Sequence, residues 1–457
     1  MFRMVRDMTK GAPLKLIFSF FFPLLLGNLF QQFYSMVDSI IVGRFVGVNA
    51  FAGISATGSI NFMILGFLMG MCSGCAVPVA QSFGEGDLRK MRKYFANAIY
   101  LAGGVSVLMT VVIVSMTRQI LHWIGTPEDI IDQSYAYIVV IFGGMSASML
   151  YNLSSGVLRA VGDTKTPLFL LLFSCFVNVG LDLLFVVALK MGAAGAAWAT
   201  IFSQLLSGVL CMALIFGKYE ILHVRGEEWK PEAAYISHLC GMGLPMGLQF
   251  SITAIGSIIL QSAVNSLGSG AVASIGAGAK VQFVFTCPLD SIGATLATYC
   301  GQNLGARRID RVRTGIRQST IIMLVYCVVA YGAQRLFGPN LMKLFIDGSE
   351  AQILDNALLY LNTIAMFFGP LLGIMVFRSA LQGLGFSRIA MFAGLFELVG
   401  RAFVAFALVG PYGFRGAILA NPAAWVMANV LLIPAYIYAI RKLQRQYPPQ
   451  DITQPAA

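Results

Sequence analysis

The sequence contains about twelve long apolar runs separated by short polar breaks, and these runs constrain the fold more than any other feature. The hydrocarbon core of a bilayer is about 30 Å thick, and an α-helix crosses it with about twenty apolar residues. The run centres lie near Phe22, Leu65, Val107, Val140, Phe176, Leu205, Ala254, Thr286, Leu324, Phe367, Val399 and Val430. The sequence therefore predicts an all-α polytopic membrane protein with twelve transmembrane helices, and it excludes a secreted protein and a cytosolic enzyme.

The distribution of charge supports this interpretation and predicts an orientation. Only 11% of the residues are charged, against about 25% in an ordinary soluble domain. The net charge of +11 comes from 31 lysine and arginine residues, most of which fall in loops on one side of the predicted spans. Because basic residues collect on the cytoplasmic face of membrane proteins, we expect both termini in the cytoplasm and no nucleic-acid partner.

Two halves of the chain repeat each other. The segment AFAGISA at Ala50–Ala56 matches AVASIGA at Ala271–Ala277, and QSFGEGDLRKMR at Gln81–Arg92 matches QNLGARRIDRVR at Gln302–Arg313. Tandem copies of a unit with an even number of spans enter the membrane from the same side. The repeat therefore predicts two six-helix lobes related by a pseudo-two-fold axis along the membrane normal, although a duplication that only enlarges the bundle stays open.

This repeat defines the predicted domains. We expect an N-lobe at 1–216 with helices 1 to 6, a charged cytoplasmic linker at 217–234, a C-lobe at 235–440 with helices 7 to 12, and a polar cytoplasmic tail at 441–457. Two similar lobes that face each other across a cavity suit transport by alternating access.

Motifs for catalysis or cofactor binding are lacking in the sequence. Cys72 and Cys75 form a C-x-x-C pair, but no second pair and no histidine follow at ligand spacing. No nucleotide-binding loop, catalytic triad spacing or metal cluster is recognisable. We therefore expect a protein that is not an enzyme and that has no cofactor.

Two segments resemble a known family. MVDSIIVGRFVG at Met36–Gly47, GQNLGA at Gly301–Ala306 and the two-lobed arrangement are similar to the multidrug and toxic compound extrusion (MATE) transporters of prokaryotic type. The resemblance extends from about Pro13 to Arg441. It implies secondary active antiport in the plasma (inner) membrane, in which entry of Na⁺ or H⁺ drives export of amphipathic, often cationic organic compounds.

Ionisable residues inside predicted spans are functional candidates, because a charge at bilayer depth is costly. Asn178 and Asp182 stand four residues apart on one helix face. In prokaryotic MATE proteins, the resemblance implies a cation-coupling site at the positions of Asp38, Asn178, Asp182 and Thr200. Oxygen ligands of this kind suit Na⁺, and adjacent buried carboxylates also favour proton uptake, so the coupling ion stays open.

The second half departs from this pattern. Arg401 occupies the position that matches Asn178, and Glu397 lies one helical turn before it, so we expect a structural ion pair. Some MATE members carry a glutamate on the seventh helix, where this sequence offers only Gln249 and Thr253. We therefore expect coupling in the N-lobe alone.

Polar residues in other spans are candidates for a substrate cavity. They are Gln31, Tyr34, Asn61, Gln249, Thr253 and Lys280. The predicted partners are small organic molecules and the lipid bilayer, and the predicted state is a monomer. The alternative function is a flippase for a lipid-linked oligosaccharide or a related lipid precursor, which would require a cavity ringed by arginine and lysine.

Overall fold

The computed structural model describes residues 5–343 and 350–448, and these residues form helices without a single strand. Residues 449–457 of the predicted tail lie outside the described part. The helices of the first half are α1 (Pro13–Phe45), α2 (Val48–Glu85), α3 (Leu88–Trp123), α4 (Ile131–Gly143), α5 (Met145–Ala160), α6 (Lys165–Asp182) and α7 (Gly192–Lys218). Those of the second half are α8 (Ala233–Asn265), α9 (Ser269–Gly305), α10 (Ile309–Met342), α11 (Ala351–Met366), α12 (Phe368–Gly383), α13 (Ser387–Ala407), α14 (Val409–Ala417) and α15 (Ala420–Gln446).

The predicted number of spans is confirmed within the described ranges. Ten helices are long and apolar enough to cross a membrane, and two further spans are bent pairs, which brings the number to twelve. The pair α4 and α5 bends by 47°, and the pair α11 and α12 bends by 51°. A Cβ atom on Gly144, at the first bend, would overlap the side chain of Ile201, so α7 packs where only glycine leaves room.

Contacts divide the helices into two compact units. The first consists mainly of Phe22–Phe83 and Asp87–Ser251, and the second of Asp7–Phe21 and the described residues from Ile252 onward. The division falls inside α1 and α8 rather than in the linker. The predicted lobe boundaries at residues 216 and 235, which follow the repeat, stay a prediction.

The linker of the first unit is fixed on the first turns of α3. Arg92 donates two hydrogen bonds of 2.7 Å to the carboxylate of Glu228, and Lys93 lies 2.6 Å from a carboxylate oxygen of Glu232. The Arg92 guanidinium holds the pKa of Glu228 below its usual range. Two acidic residues of this charged segment are therefore paired with basic residues of α3.

Glycines allow a close crossing of α2 and the first part of α8 in the first unit. A Cβ atom on Gly74 would lie 2.6 Å from the Cα atom of Gly243 and 2.7 Å from the carbonyl oxygen of Met242. Gly70 and Gly247 are similarly enclosed, so glycines four residues apart face each other on both helices. Small residues at this spacing let membrane helices pack backbone against backbone.

We expect Gly74→Ala to lower the stability of the protein. The added methyl group meets backbone atoms that cannot rotate away, and overpacking of this kind costs roughly 1–3 kcal/mol. The readout is the midpoint of thermal unfolding in detergent. Gly104→Ala, on α3, is the matched control because nothing lies within 4 Å of its Cβ position. An unchanged midpoint for Gly74→Ala would contradict the backbone crossing.

Candidate functional site

Asn178 and Asp182 lie at the end of α6, with 1% and 0% of their surfaces exposed. Directly after Asp182, the chain continues as a π-helical segment, Leu183–Ala188, in which the amide of Leu189 donates to the carbonyl of Leu184 at 2.9 Å. Helices widen in this way frequently at functional sites, because the extra residue redirects the side chains around it.

Asp38 on α1 comes together with Asp182 on α6. Their carboxyl groups are close enough to act electrostatically on each other. Oδ1 of Asp38, both carboxyl oxygens of Asp182 and the amide atoms of Asn178 are buried without a hydrogen-bond partner among the described residues. Two ionised carboxylates repel each other, so a cation or a proton bound between them would relieve the repulsion.

Thr200 on α7 stands beside this group. Its hydroxyl donates to the carbonyl of Ala196 at 3.0 Å and lies 3.3 Å from the hydroxyl of Tyr34. Tyr34 is one helical turn before Asp38 on α1. The structure thus places Thr200 next to Tyr34, a residue that the sequence suggests only as part of a substrate cavity.

Tyr137 on α4 completes the site and is not singled out by the sequence. Its side chain is 8% exposed, and both Asp38 and Asp182 act electrostatically on its hydroxyl. Tyr137 lies in an ordinary apolar segment among 16 tyrosines, so no spacing or motif marks it. Its hydroxyl can donate to a carboxylate, which makes it part of the polar surroundings of the pair.

A cavity of about 170 Å³ lies within the first unit. Gln31, Tyr34 and Asn178 line it, so it reaches the group of carboxyl-bearing helices. The other polar lining residues are Ser148, Tyr151, Asn152, Ser174, Ser203, Gln204 and Ser207. None of the described lining residues is charged. These seven residues are not among those that the sequence predicts for a substrate cavity.

The remaining predicted cavity residues do not line this cavity. Asn61 has a buried side-chain oxygen without a partner in the described part of the chain, and Gln249 is buried. Thr253 belongs to the second unit, and Lys280 is exposed. A substrate cavity that these six residues share stays a prediction.

Glu397 and Arg401 lie on α13 in the second unit, with side-chain atoms 3.5 Å apart. Arg378 on α12, which the sequence does not indicate, makes a shorter contact of 2.9 Å with the other Glu397 oxygen. Arg401 also donates to the side chain of Asn421 at 3.2 Å and to the carbonyl of Thr253 at 3.3 Å. The predicted pair is thus part of a larger buried network.

Comparisons with known proteins define the class. The MatE family profile matches residues 23–184 and 245–407, once in each half of the chain. The chain is 30% identical over 375 residues to the probable multidrug resistance protein YpnP of Bacillus subtilis, covering 80% of this chain and 82% of that protein. The probable multidrug resistance protein NorM of Thermotoga maritima is 24% identical over 363 residues, covering 78% and 77% of the two chains.

A crystal structure of a MATE protein in complex with MaL6 has the same fold. Its TM-score is 0.90 at 19% identity, over 97% of this chain and 100% of that one. MATE structures have twelve transmembrane helices in two lobes, which confirms the predicted fold class. The protein is a multi-pass membrane transporter rather than an enzyme. Specifically, the chain belongs to the MatE family, as the resemblance of its motifs predicts.

We expect Glu397→Gln to destabilise the protein strongly. The substitution removes the carboxylate that contacts the guanidinium groups of Arg378 and Arg401, and breaking a buried pair costs about 3–5 kcal/mol. Thermal unfolding in detergent measures the loss. Glu227→Gln is the control, because its partner Lys230 is exposed and such pairs contribute at most about 1 kcal/mol. Equal shifts for both variants would argue against a structural role of the network.

Proposed function

We propose that the protein is a secondary active exporter of amphipathic, often cationic organic compounds, driven by entry of Na⁺ or H⁺ through alternating access. Asp38, Asn178, Asp182 and Thr200 form the coupling site in this proposal. The single observation that carries it is that Asp38 and Asp182 act electrostatically on each other, while Asp38 Oδ1 and both Asp182 oxygens are buried without a hydrogen-bond partner among the described residues. The names of the relatives support export of organic compounds.

The chemistry of the site suits either ion. Na⁺ prefers oxygen ligands, and the carboxyl groups of Asp38 and Asp182 with the side-chain oxygen of Asn178 supply them. Two protons would neutralise the same carboxyl groups, and the nearby hydroxyls of Tyr34 and Tyr137 add polar surroundings to them. In both cases, binding removes the repulsion between the carboxylates and so favours one packing of α1 against α6.

Coupling follows from this preference. A bound ion shifts the equilibrium between two conformations only by the difference in its affinity for them. When the site is empty, its two carboxylates repel each other, and when a cation is bound, both are attracted to it. The ion therefore has a higher affinity for the conformation that brings the carboxylates together. If the ion favours the outward-open conformation, ion binding leads to release of the substrate on the outer side.

The cavity of the first unit supports small organic substrates over the flippase alternative. A flippase for a lipid-linked oligosaccharide needs basic residues around an anionic headgroup, and the described lining of this cavity contains neither lysine nor arginine. Its hydroxyl, amide and apolar groups suit uncharged or cationic molecules. We further propose a plasma-membrane location, cytoplasmic termini and a monomeric state, with no cofactor beyond the coupling ion.

Transport by reconstituted protein tests the proposal. We expect the wild type to move an organic cation dye across liposome membranes under either a sodium gradient or a proton gradient, and the effective gradient names the ion. Asp182→Asn should reduce transport by about tenfold or more, within the usual range of coupling free energies of 1–3 kcal/mol. Tyr137→Phe should retain transport but at a reduced rate.

Asp132→Asn is the matched control, because Asp132 is exposed at the start of α4 and its nearest basic partner, Arg118, lies 3.4 Å away at the surface. It should transport like the wild type. Undiminished transport by Asp182→Asn would refute the coupling site while leaving the exporter intact. Failure of both gradients to move any of several dyes would favour the flippase instead.

A further inference from the structure

A lateral groove of about 480 Å³ lies in the second unit, with α10 and α15 as its walls and α12 as its floor. The walls carry apolar side chains such as Leu324 and Val430, which are 46% and 62% exposed. The floor includes Gly369, Pro370 and Gly373. The groove is therefore lined mainly by apolar groups, and these three floor residues carry little side-chain volume.

The side chain of Asn429 joins one wall of the groove to its floor. The side-chain amide of Asn429 donates to the carbonyls of Pro370 and Trp425, both at 2.7 Å. Its oxygen occupies the space in which a Cβ atom on Gly373 would stand. The wall α15 is thus held against α12 by the hydrogen bond to Pro370, and the missing side chain of Gly373 makes room for Asn429.

Basic residues continue the faces of both walls at one end of the groove. On α10, Arg313 and Arg317 precede Thr320, a lining residue, by seven and three positions, so all three share one helix face. On α15, Arg441 follows Ile433 by two turns on the lining face. All three arginines are exposed. Positive charge therefore lies at the end of the groove from two sides.

Tyr436 connects the groove to this basic end. Its ring lies 5.1 Å from the ring of Phe377, which lines the groove. The guanidinium of Arg313 is close enough to act electrostatically on the Tyr436 hydroxyl. Asp310, the acidic residue one turn before Arg313, is held by Arg308 at 3.0 Å and does not neutralise the cluster.

We propose that this groove binds one anionic phospholipid of the surrounding bilayer. An acyl chain lies along Leu324 and Val430, while Arg313, Arg317 and the Tyr436 hydroxyl bind the phosphate. Arginine binds phosphate oxygens through charge-assisted hydrogen bonds. The apolar groove can bury an acyl chain, which is covalently attached to the headgroup and therefore extends from it along the groove. The general excess of basic residues in cytoplasmic loops explains why these residues are positively charged. It does not explain why they lie in line with the groove.

Native mass spectrometry of the full-length protein in mild detergent tests the site with dioleoyl phosphatidylglycerol and dioleoyl phosphatidylcholine. We expect the wild type to retain phosphatidylglycerol preferentially. Each basic side chain near a phosphate contributes a factor of about five, so Arg313→Gln with Arg317→Gln should weaken phosphatidylglycerol binding about 25-fold. Val430→Trp should fill the groove and reduce binding while the arginines remain.

The matched control is Arg89→Gln with Arg388→Gln, which removes the same charge from exposed positions outside the groove. This variant should bind phosphatidylglycerol like the wild type. Equal binding of both lipids by the wild type, or an unchanged preference in the Arg313 and Arg317 double variant, would overturn the proposal. Displacement of the lipid by glycerophosphate at equal concentration would also overturn it, since the headgroup alone would then account for binding.

Discussion

The absence of water from the bilayer core is the constraint on which the rest of this structure depends. Every backbone amide and carbonyl must find a partner within the protein, so the spans are helices and the breaks between them are short. Since lipid offers no hydrophobic drive between helices, close packing has to hold them together. The facing glycines of α2 and α8 meet this requirement with backbone contact.

The same constraint gives different outcomes for polar groups in the two units. In the second unit, Glu397 and Arg401 satisfy each other together with Arg378, Asn421 and a backbone carbonyl. In the first unit, Oδ1 of Asp38 and both carboxyl oxygens of Asp182 are buried without a donor in the part of the chain that the structure describes. A buried polar group without a partner is costly and persists where function requires it. The repeat has thus kept one fold while its two copies differ in the balance of buried charge.

Much of the fold follows from the sequence, and less of the site. Hydropathy depends only on the order of residues along the chain. Each predicted centre therefore falls inside a span, and Phe367 falls at the break between α11 and α12. The bend at Gly144 depends on how closely Ile201 approaches, which no local pattern encodes. Tyr137 and Arg378 likewise reach their partners from other helices. Asn178 and Asp182 are recognisable because they share a helix, whereas residue type alone marks the predicted cavity residues, of which Gln31 and Tyr34 line the cavity of the first unit.

The charged network of the second unit has a consequence for how the protein enters the membrane. An arginine at the centre of an inserting helix costs about 2.5–3.5 kcal/mol on insertion scales. Helix α13 carries Glu397 and Arg401 one turn apart and so brings its own countercharge. Helix α12 is synthesised earlier and carries Arg378, whose carboxylate partner emerges only with the next helix. The ion pair of Arg378 with Glu397 therefore forms only after α13 has been synthesised.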